Sequence, residues 1–242
     1  MIILERREKI LKILEKQRSA TVHELAEAIF ISEASIRRDI EALEKAGLVR
    51  RIYGGVVLEK HRNAVVPLEL RDGEHSSVKD ELARRAAEMV SDGDTLMLDA
   101  SSTVRRMVKY LGGKRELKII TNNLRIFQDM QGGDARLYCT GGQYSEENNA
   151  FFGKSAERCL EALHADICFF SSQGISYEGE ISDASEAETA LRRVMISRSD
   201  RRVFLCDASK IGVRHMFTLC GKDDVTEIVC NEQLPWQREE NR

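Results

Sequence analysis

The sequence predicts two folded parts of different class: a small, mostly helical module ending in a β-hairpin, and behind it an α/β domain with a mainly parallel sheet. Three observations carry that expectation. Through residues 5–45 apolar side chains recur at helical spacing, then give way to two short β-type runs around a Gly-Gly pair. From residue 77 onward short apolar runs alternate with helical patterns, which is how strands joined by helices read. At 242 residues the chain has material to bury a core in each part.

In the first part, Glu5 to Gln17 sets Ile10, Leu11 and Leu14 on one face and charges on the other, an amphipathic helix. Thr21-Val22-His23-Glu24 reads as a capping box that starts a second helix burying Val22, Leu25, Ala26 and Ile29 and breaking at Phe30-Ile31. Ser32 then opens a third helix with Ile36, Ile40 and Leu43 as its apolar stripe, and Gly47 supplies the left-handed residue that ends it. Ser35, Arg37, Arg38 and Lys45 fall away from that stripe. Leu48–Tyr53 reads as a strand, Gly54-Gly55 as a tight turn and Val56–Leu58 as the returning strand.

Helix, short turn, helix is the spacing of a helix-turn-helix whose later helix reads DNA. On the helices alone a three-helix bundle with a solvated polar face also fits. The Arg37-Arg38 pair, Gly47 and a hairpin carrying Arg50, Arg51 and Tyr53 favour a winged helix-turn-helix over residues 1–58. Charge points the same way: the formal net charge is -3, yet residues 1–58 hold eleven Lys/Arg against nine Asp/Glu, so the module is slightly basic and the remainder acidic. Arginine forks onto guanine or clamps a phosphate, and a single sequence leaves open which arginine does which.

No leader-like or membrane-spanning apolar run is visible, and the six cysteines form no C-x-x-C pair. Cys139, Cys168 and Cys206 sit in apolar runs, as core thiols in a reducing cytoplasm do. Residues 59–76 read as a linker, since Glu59–Asn63 is polar and Pro67 forbids a continuing helix at Val66.

The second part, 77–242, shows strands at Thr95–Leu98, Leu117–Thr121, Ala135–Cys139, Ile167–Ser171, Val203–Cys206 and Glu227–Cys230. Helices are expected at Val78–Val90, Thr103–Leu111, Leu124–Met130, Lys154–Leu163 and Glu186–Ser197. Ligands of parallel sheets sit at the C-terminal strand ends, so the residues after each strand matter most. They are Asp99-Ala100-Ser101-Ser102-Thr103, Thr121-Asn122-Asn123, Thr140-Gly141-Gly142, Gln173-Gly174 and Asp207-Ala208-Ser209-Lys210. Three hydroxyls at a helix start suit an anion, and they equally suit plain capping. Glu186 and Glu188 also fit a favourable charge in a first helical turn.

Ile31-Ser32-x-x-Ser35-Ile36-Arg37-Arg38-Asp39-Ile40, Leu43-Glu44-x-x-Gly47 and Arg51-x-Tyr53-Gly54-Gly55 together resemble the DNA-binding signature of the DeoR family of bacterial transcriptional regulators. Ser35 stands where that family usually has Thr. The second part resembles the family's sensor domain, related in fold to sugar-phosphate isomerases, through Asp99-x-Ser101-Ser102-Thr103, Thr121-Asn122-Asn123, Gly141-Gly142, Gly153, Asp166, Gly174, Glu186-x-Glu188 and Asp207-x-Ser209-Lys210. Ala100 replaces a common Gly, and Arg192 a common Lys.

The resemblance implies that Ser32, Ser35, Arg37 and Arg38 meet the major groove or its flanking phosphates, with Arg50 and Arg51 on the backbone. It implies a sensor for a phosphorylated sugar or polyol: Ser101, Ser102 and Thr103 on the phosphate, Lys210 and Arg192 countering its charge, Gly141 and Gly142 giving close approach, and Asp99, Asn122, Glu186 and Asp207 on hydroxyls. The expected protein is a cytoplasmic repressor of carbohydrate genes, a homodimer or homotetramer on an operator, without cofactor or metal. The alternative is a sugar-phosphate isomerase-like enzyme.

Overall fold

The computed structural model describes residues 3–17, 19–45, 47–52, 55–58 and 75–238. The chain divides into two compact units, Met1–Glu74 and His75–Arg242. Of the expected linker, 59–74 lies outside the described residues, and Ser76 already opens a helix.

The first unit contains α1 (Ile3–Gln17), β1 (Ser19–Ala20), α2 (Val22–Ile29), α3 (Glu33–Lys45), β2 (Val49–Ile52) and β3 (Gly55–Leu58). Thr21 caps α2 as its sequence demands: the hydroxyl accepts the Glu24 N–H at 3.1 Å and the Glu24 carboxylate accepts the Thr21 N–H at 2.7 Å. Past α3, Gly47 takes φ +69°, its N–H reaches the Glu44 carbonyl and the Leu48 N–H the Leu43 carbonyl, both at 2.9 Å. This pair of bonds closes the helix and aims the chain into the wing, and a residue with a Cβ is strained at that φ.

Ile10, Leu14, Leu25, Ile29, Ile36, Ile40 and Leu43 bury one common core. The sequence does not announce β1, which pairs with β3 (Ala20 opposite Val56), so the wing hairpin is the outer part of a three-stranded sheet ordered β1-β3-β2. Two residues are too few for a period to show.

The second unit is built on six parallel strands: β4 (Thr95–Leu98), β5 (Lys118–Thr121), β6 (Arg136–Cys139), β9 (Ala165–Phe170), β12 (Ser199–Cys206) and β14 (Glu227–Cys230), in the order β14-β12-β9-β4-β5-β6. Side chains alternate between the faces. Leu96, Leu98, Ile119, Phe169 and Leu205 pack under α4 (Ser76–Glu88), α5 (Ser102–Arg105), α6 (Val108–Leu111) and α7 (Leu124–Asp129). Met97, Ile120, Phe170 and Phe204 pack against α8 (Lys154–Glu161) and α9 (Glu186–Ser197). Where one long helix is expected over 103–111, α5 and α6 are separate.

Two smaller sheets escape the sequence reading. A hairpin pairs β7 (Gln143–Ser145) with β8 (Ala150–Phe152), and β10 (Gly174–Ile175), β11 (Glu180–Asp183) and β13 (Phe217–Gly221) form an antiparallel trio. Cys168, Cys206 and Cys230 are buried free thiols within the core. Among the described residues no helix is long and apolar enough to cross a membrane.

The parallel order has one point of reversal. The chain winds outward from β4 through β5 to β6, returns to the other side of β4, and continues through β9 and β12 to β14. The crevice at the C-terminal ends of β4 and β9 is therefore the place where such a sheet receives a ligand.

Candidate functional site

Two surfaces hold the residues of interest, one in each unit. In the first, Arg37 and Arg38 project from the solvent face of α3, as the position of the apolar stripe requires. Arg37 pairs with Glu33 one turn earlier at 3.0 Å, and the Ser32 and Ser35 hydroxyls lie 3.1 Å apart at the helix start. On the wing, Arg50 and Arg51 are exposed, and the Arg51 guanidinium leans on Glu44 at 3.2 Å. A groove of about 540 Å³ between the start of α2, the face of α3 and the hairpin gathers Arg37, Arg38 and Arg51. Tyr53 lies outside the described residues.

The groove has a buttress that the sequence does not reveal. Asp39 points inward from α3, is 1% exposed, and is held by Arg6 and Arg7 of α1. Arg6 grips it with Nε and with Nη2 (3.0 Å to Oδ1), and the Arg7 Nε stands at 3.3 Å. The Asp39 hydrogen bond raises the Arg6 pKa further despite partial burial. In the signature Arg37-Arg38-Asp39, the arginines face outward and the aspartate anchors their helix.

In the second unit, the ends of β4, β9 and β12 are wired to one another. The Asp99 carboxylate accepts the Ser101 N–H at 3.0 Å, the Ser171 N–H at 3.3 Å and the Arg192 Nε at 2.7 Å. Ser171 in turn accepts Lys210 Nζ on its hydroxyl at 2.8 Å, and Lys210 lies 3.5 Å from Asp207. Asp207 is 3% exposed. Burial opposes its charge, but Lys210, the Ser209 hydroxyl, Lys79 and His75 outweigh that effect and hold its carboxyl below the ordinary value of 3.8.

The remaining expected residues divide. Ser101, Ser102 and Thr103 are buried at the start of α5, where the Ser101 hydroxyl caps the Val104 N–H at 3.2 Å. Asn122 gives its Nδ2 to the Phe151 carbonyl at 3.0 Å. Glu186 is exposed in the first turn of α9, whereas Glu188, one residue of spacing away, is buried. Gly141 lies beside Gly142, and a Cβ on Gly142 would stand 2.6 Å from the Phe152 carbonyl, so the close approach it permits is to β8.

Arg192 is 2% exposed and sits among three carboxylates. Its Nε meets Asp99 at 2.7 Å, Nη1 meets Asp183 at 2.7 Å and Nη2 meets Glu188 at 2.5 Å. Its donors are committed inside the fold, and the surrounding negative charge keeps it protonated against the cost of burial. Asp99, Asn122, Glu188 and Arg192, with Ala100, Phe152, Leu191 and Met195, line a narrow crevice that has no room for a water molecule. Among the described residues no group of His, Cys, Asp and Glu is placed to hold a metal ion.

Comparison with known proteins matches residues 6–62 to the DeoR-like helix-turn-helix domain and residues 74–232 to the DeoR C terminal sensor domain. The chain belongs to the DeoR family. A Bacillus subtilis DeoR-family relative named as the HTH-type transcriptional regulator YulB is 32% identical over 97% of this chain and 91% of its own length. The L-fucose operon activator of Haemophilus influenzae is 31% identical, covering 95% of this chain and 92% of its own. The lactose phosphotransferase system repressor of Streptococcus mutans is 30% identical over the same shares, 95% and 92%.

Within this DeoR-family sensor, four residues that the sequence reading gives no site role join the network around the strand ends. Ser171 reads there as the last residue of a strand, and Asp183 falls outside every expected element. Glu188 is overshadowed by Glu186. Lys79 is 4% exposed on the face of α4 that buries Leu82, Ala83 and Ala86, and its charge acts on Asp207. A lysine in step with an apolar stripe is the signal that finds it, because a buried ammonium needs an anion nearby.

Proposed function

We propose that this chain is a transcriptional repressor of carbohydrate-metabolism genes whose first unit binds an operator in double-stranded DNA and whose second unit binds a phosphorylated sugar or polyol. The DNA half rests on one observation, the groove that gathers Arg37, Arg38 and Arg51 on the exposed side of a helix-turn-helix unit. Ser32 and Ser35 stand at the end of α3 that enters a major groove, and Arg50 and Arg51 suit the flanking phosphates. The repressor works as a homodimer or homotetramer, so that paired reading helices match paired half-sites.

The sensing half is supported by the topology: the reversal of strand order falls between Asp99 and Ser171, and Lys210 reaches that point. In this reading Lys210 and Lys79 supply the positive charge for a phosphate near Ser101, Ser102 and Thr103. Asp207 holds that charge in balance until the ligand arrives. Asp99 and Asn122 serve the hydroxyls, while Arg192 positions Asp99 beneath them. The cleft is closed to less than the width of a water molecule, so a sugar phosphate favours an arrangement in which it is open. A ligand with unequal affinity for two arrangements shifts their balance, which is what a switch requires.

The test is operator affinity, measured on DNA from the gene's own promoter region with and without a panel of pentose and hexose phosphates. A salt-dependent complex weakened by one of them supports both halves. No sugar phosphate changing the affinity removes the sensing half; absence of salt-dependent binding removes the DNA half. The isomerase alternative draws on the buried acids Asp99 and Asp207, but Asp99 already accepts three hydrogen bonds within the fold, and Asp207, held ionised beside Lys210, makes a poor proton acceptor. Measurable turnover of any sugar phosphate, lost in Asp99→Asn, would favour it.

A further inference from the structure

Two cysteines face each other at the edge of the six-stranded sheet. β12 and β14 run parallel with Cys206 in register with Cys230, and among the described residues no other two cysteines are partnered in this way. Partnered residues of neighbouring parallel strands lie on the same face with Cα atoms about 4.8 Å apart, inside the range of about 4.4–6.8 Å that a disulfide spans. Both side chains belong to the core on the α8 and α9 side of the sheet. β14 is the outermost strand and Cys230 its last residue, so its backbone has a single neighbouring strand to adjust against.

The two sulfurs differ in character. Cys230 keeps 9% of its surface exposed, whereas Cys206 is sealed in the core. The Cys206 thiol and the backbone N–H groups of Glu232 and Asn231 stabilise negative charge on the Cys230 sulfur, and together they outweigh burial and lower its pKa. Cys206 shifts the opposite way, held protonated by its neighbour Cys230 and by burial. A thiolate beside a protonated thiol is the arrangement of an attacking and a resolving cysteine. By contrast burial pushes the Cys168 thiol well up, and that of Cys220 up to about 12.

We propose that Cys206 and Cys230 form a reversible oxidation site for peroxide. The Cys230 thiolate attacks hydrogen peroxide; an S–O bond forms as the O–O bond breaks, leaving Cys230 as the sulfenic acid and releasing hydroxide. The Cys206 sulfur then attacks the Cys230 sulfur, an S–S bond forms, and the sulfenic oxygen leaves as water with the Cys206 proton. Each sulfur gives up one electron, and the two peroxide oxygens are reduced. An added dithiol reverses the step by exchange. The effect reaches the next residue, because the Cys206 S–H donates to the Asp207 carbonyl at 3.4 Å and oxidation removes that donor. The Ala208 N–H meets Asn231 Oδ1 at 2.8 Å, a second tie between the two strand ends, so the disulfide acts on the turn that carries Asp207 and Lys210. The site does not rest on the identity of any effector.

The experiment treats the reduced full-length protein with hydrogen peroxide at neutral pH, counts free thiols in denaturant and maps disulfides by mass spectrometry. Two of the six thiols are expected to disappear, joined as Cys206–Cys230, and dithiothreitol restores both. Amide hydrogen exchange over residues 207–212 is expected to be faster in the oxidised form. Cys206→Ser removes the resolving thiol, so Cys230 stops at the sulfenic acid and is captured by dimedone. Cys230→Ser leaves Cys206 unreactive. Melting curves establish that each variant is folded, and the wild-type thiol count and disulfide map decide the matter where a variant is not. Six free thiols after peroxide, a disulfide mapped to other cysteines, or over-oxidation of Cys230 beside an unreacted Cys206 overturns the site. Formation of the bond with unchanged exchange over 207–212 overturns its link to the Asp207 turn.

Discussion

The Arg192 Nε and the Asp99 Oδ2 meet at 2.7 Å across 93 positions of sequence, both side chains withdrawn from solvent. The contact ties the end of β4 to α9, and it belongs to a cluster in which one cation holds three acids. A buried cluster of this kind costs more to break than it contributes when formed, because removing one member strands the others.

Arg192→Met is therefore expected to lose about 3–5 kcal/mol of folding stability at neutral pH. Denaturant melts of the wild type and variant at neutral pH check the loss. Arg192→Lys keeps a charge and loses the fork, and falls between them.

Asp39 makes no contact with the outer face of α3, yet its removal is expected to be felt there. Asp39→Ala frees Arg6 and Arg7 and costs about 2 kcal/mol of stability, as the loss of charged hydrogen bonds does. Operator affinity falls with it because α3 loses its tie to α1. The salt slope of binding is expected to stay as in the wild type, since no phosphate contact is removed. Salt titrations of operator binding separate this from a contact residue.

Arg38 and Arg37 give the contrasting result. If Arg38 reads a base, Arg38→Ala costs about 1–3 kcal/mol on the operator and relaxes preference at one position of the site. If it clamps a phosphate, the loss is uniform over all sequences and the salt slope is shallower. Undiminished binding by both Arg37→Ala and Arg38→Ala removes the DNA assignment of α3.

Asp207 provides a titration with a definite direction. Its folded-state pKa lies below the ordinary 3.8, so the ionised carboxylate stabilises the fold above about pH 4 and loses that contribution as the pH drops through the folded value. Melting temperatures of the wild type and Asp207→Asn are expected to differ most at neutral pH and to converge below about pH 4. At neutral pH the same variant binds inorganic phosphate more tightly, because Lys210 and Lys79 no longer have the carboxylate to neutralise them.

Much of this architecture is legible in the sequence wherever an element is long enough to show a period. The parallel strands of the second unit begin and end close to where their apolar runs do, and α9 spans Glu186–Ser197 as its pattern indicates. The capping box at Thr21 and the stop at Gly47 are local chemistry and need no tertiary information. By contrast β1, β7, β8 and β10 run two or three residues each, and their pairing is decided by what lies opposite them. Side-chain direction is harder still. Glu186 and Glu188 are equivalent on paper, and only the phase of α9 against the sheet turns Glu188 inward. Nor does any spacing foretell that Arg192 meets three acids at once, because Asp99 comes from a strand end 93 residues away.

Ser171 is one link across the crevice, giving its amide to Asp99 and taking Lys210 on its hydroxyl. Between Lys210 and Asp99 the path is one short, unbranched side chain and its own peptide. A guest that pulls Lys210 aside frees that hydroxyl, still anchored to the Leu205 carbonyl at 2.7 Å, and the disturbance arrives on the central strand, one step from the acids. An alanine at this position would keep the amide's grip and silence the hydroxyl's, leaving a receiver that still docks its cargo while the news of docking stops at the rim.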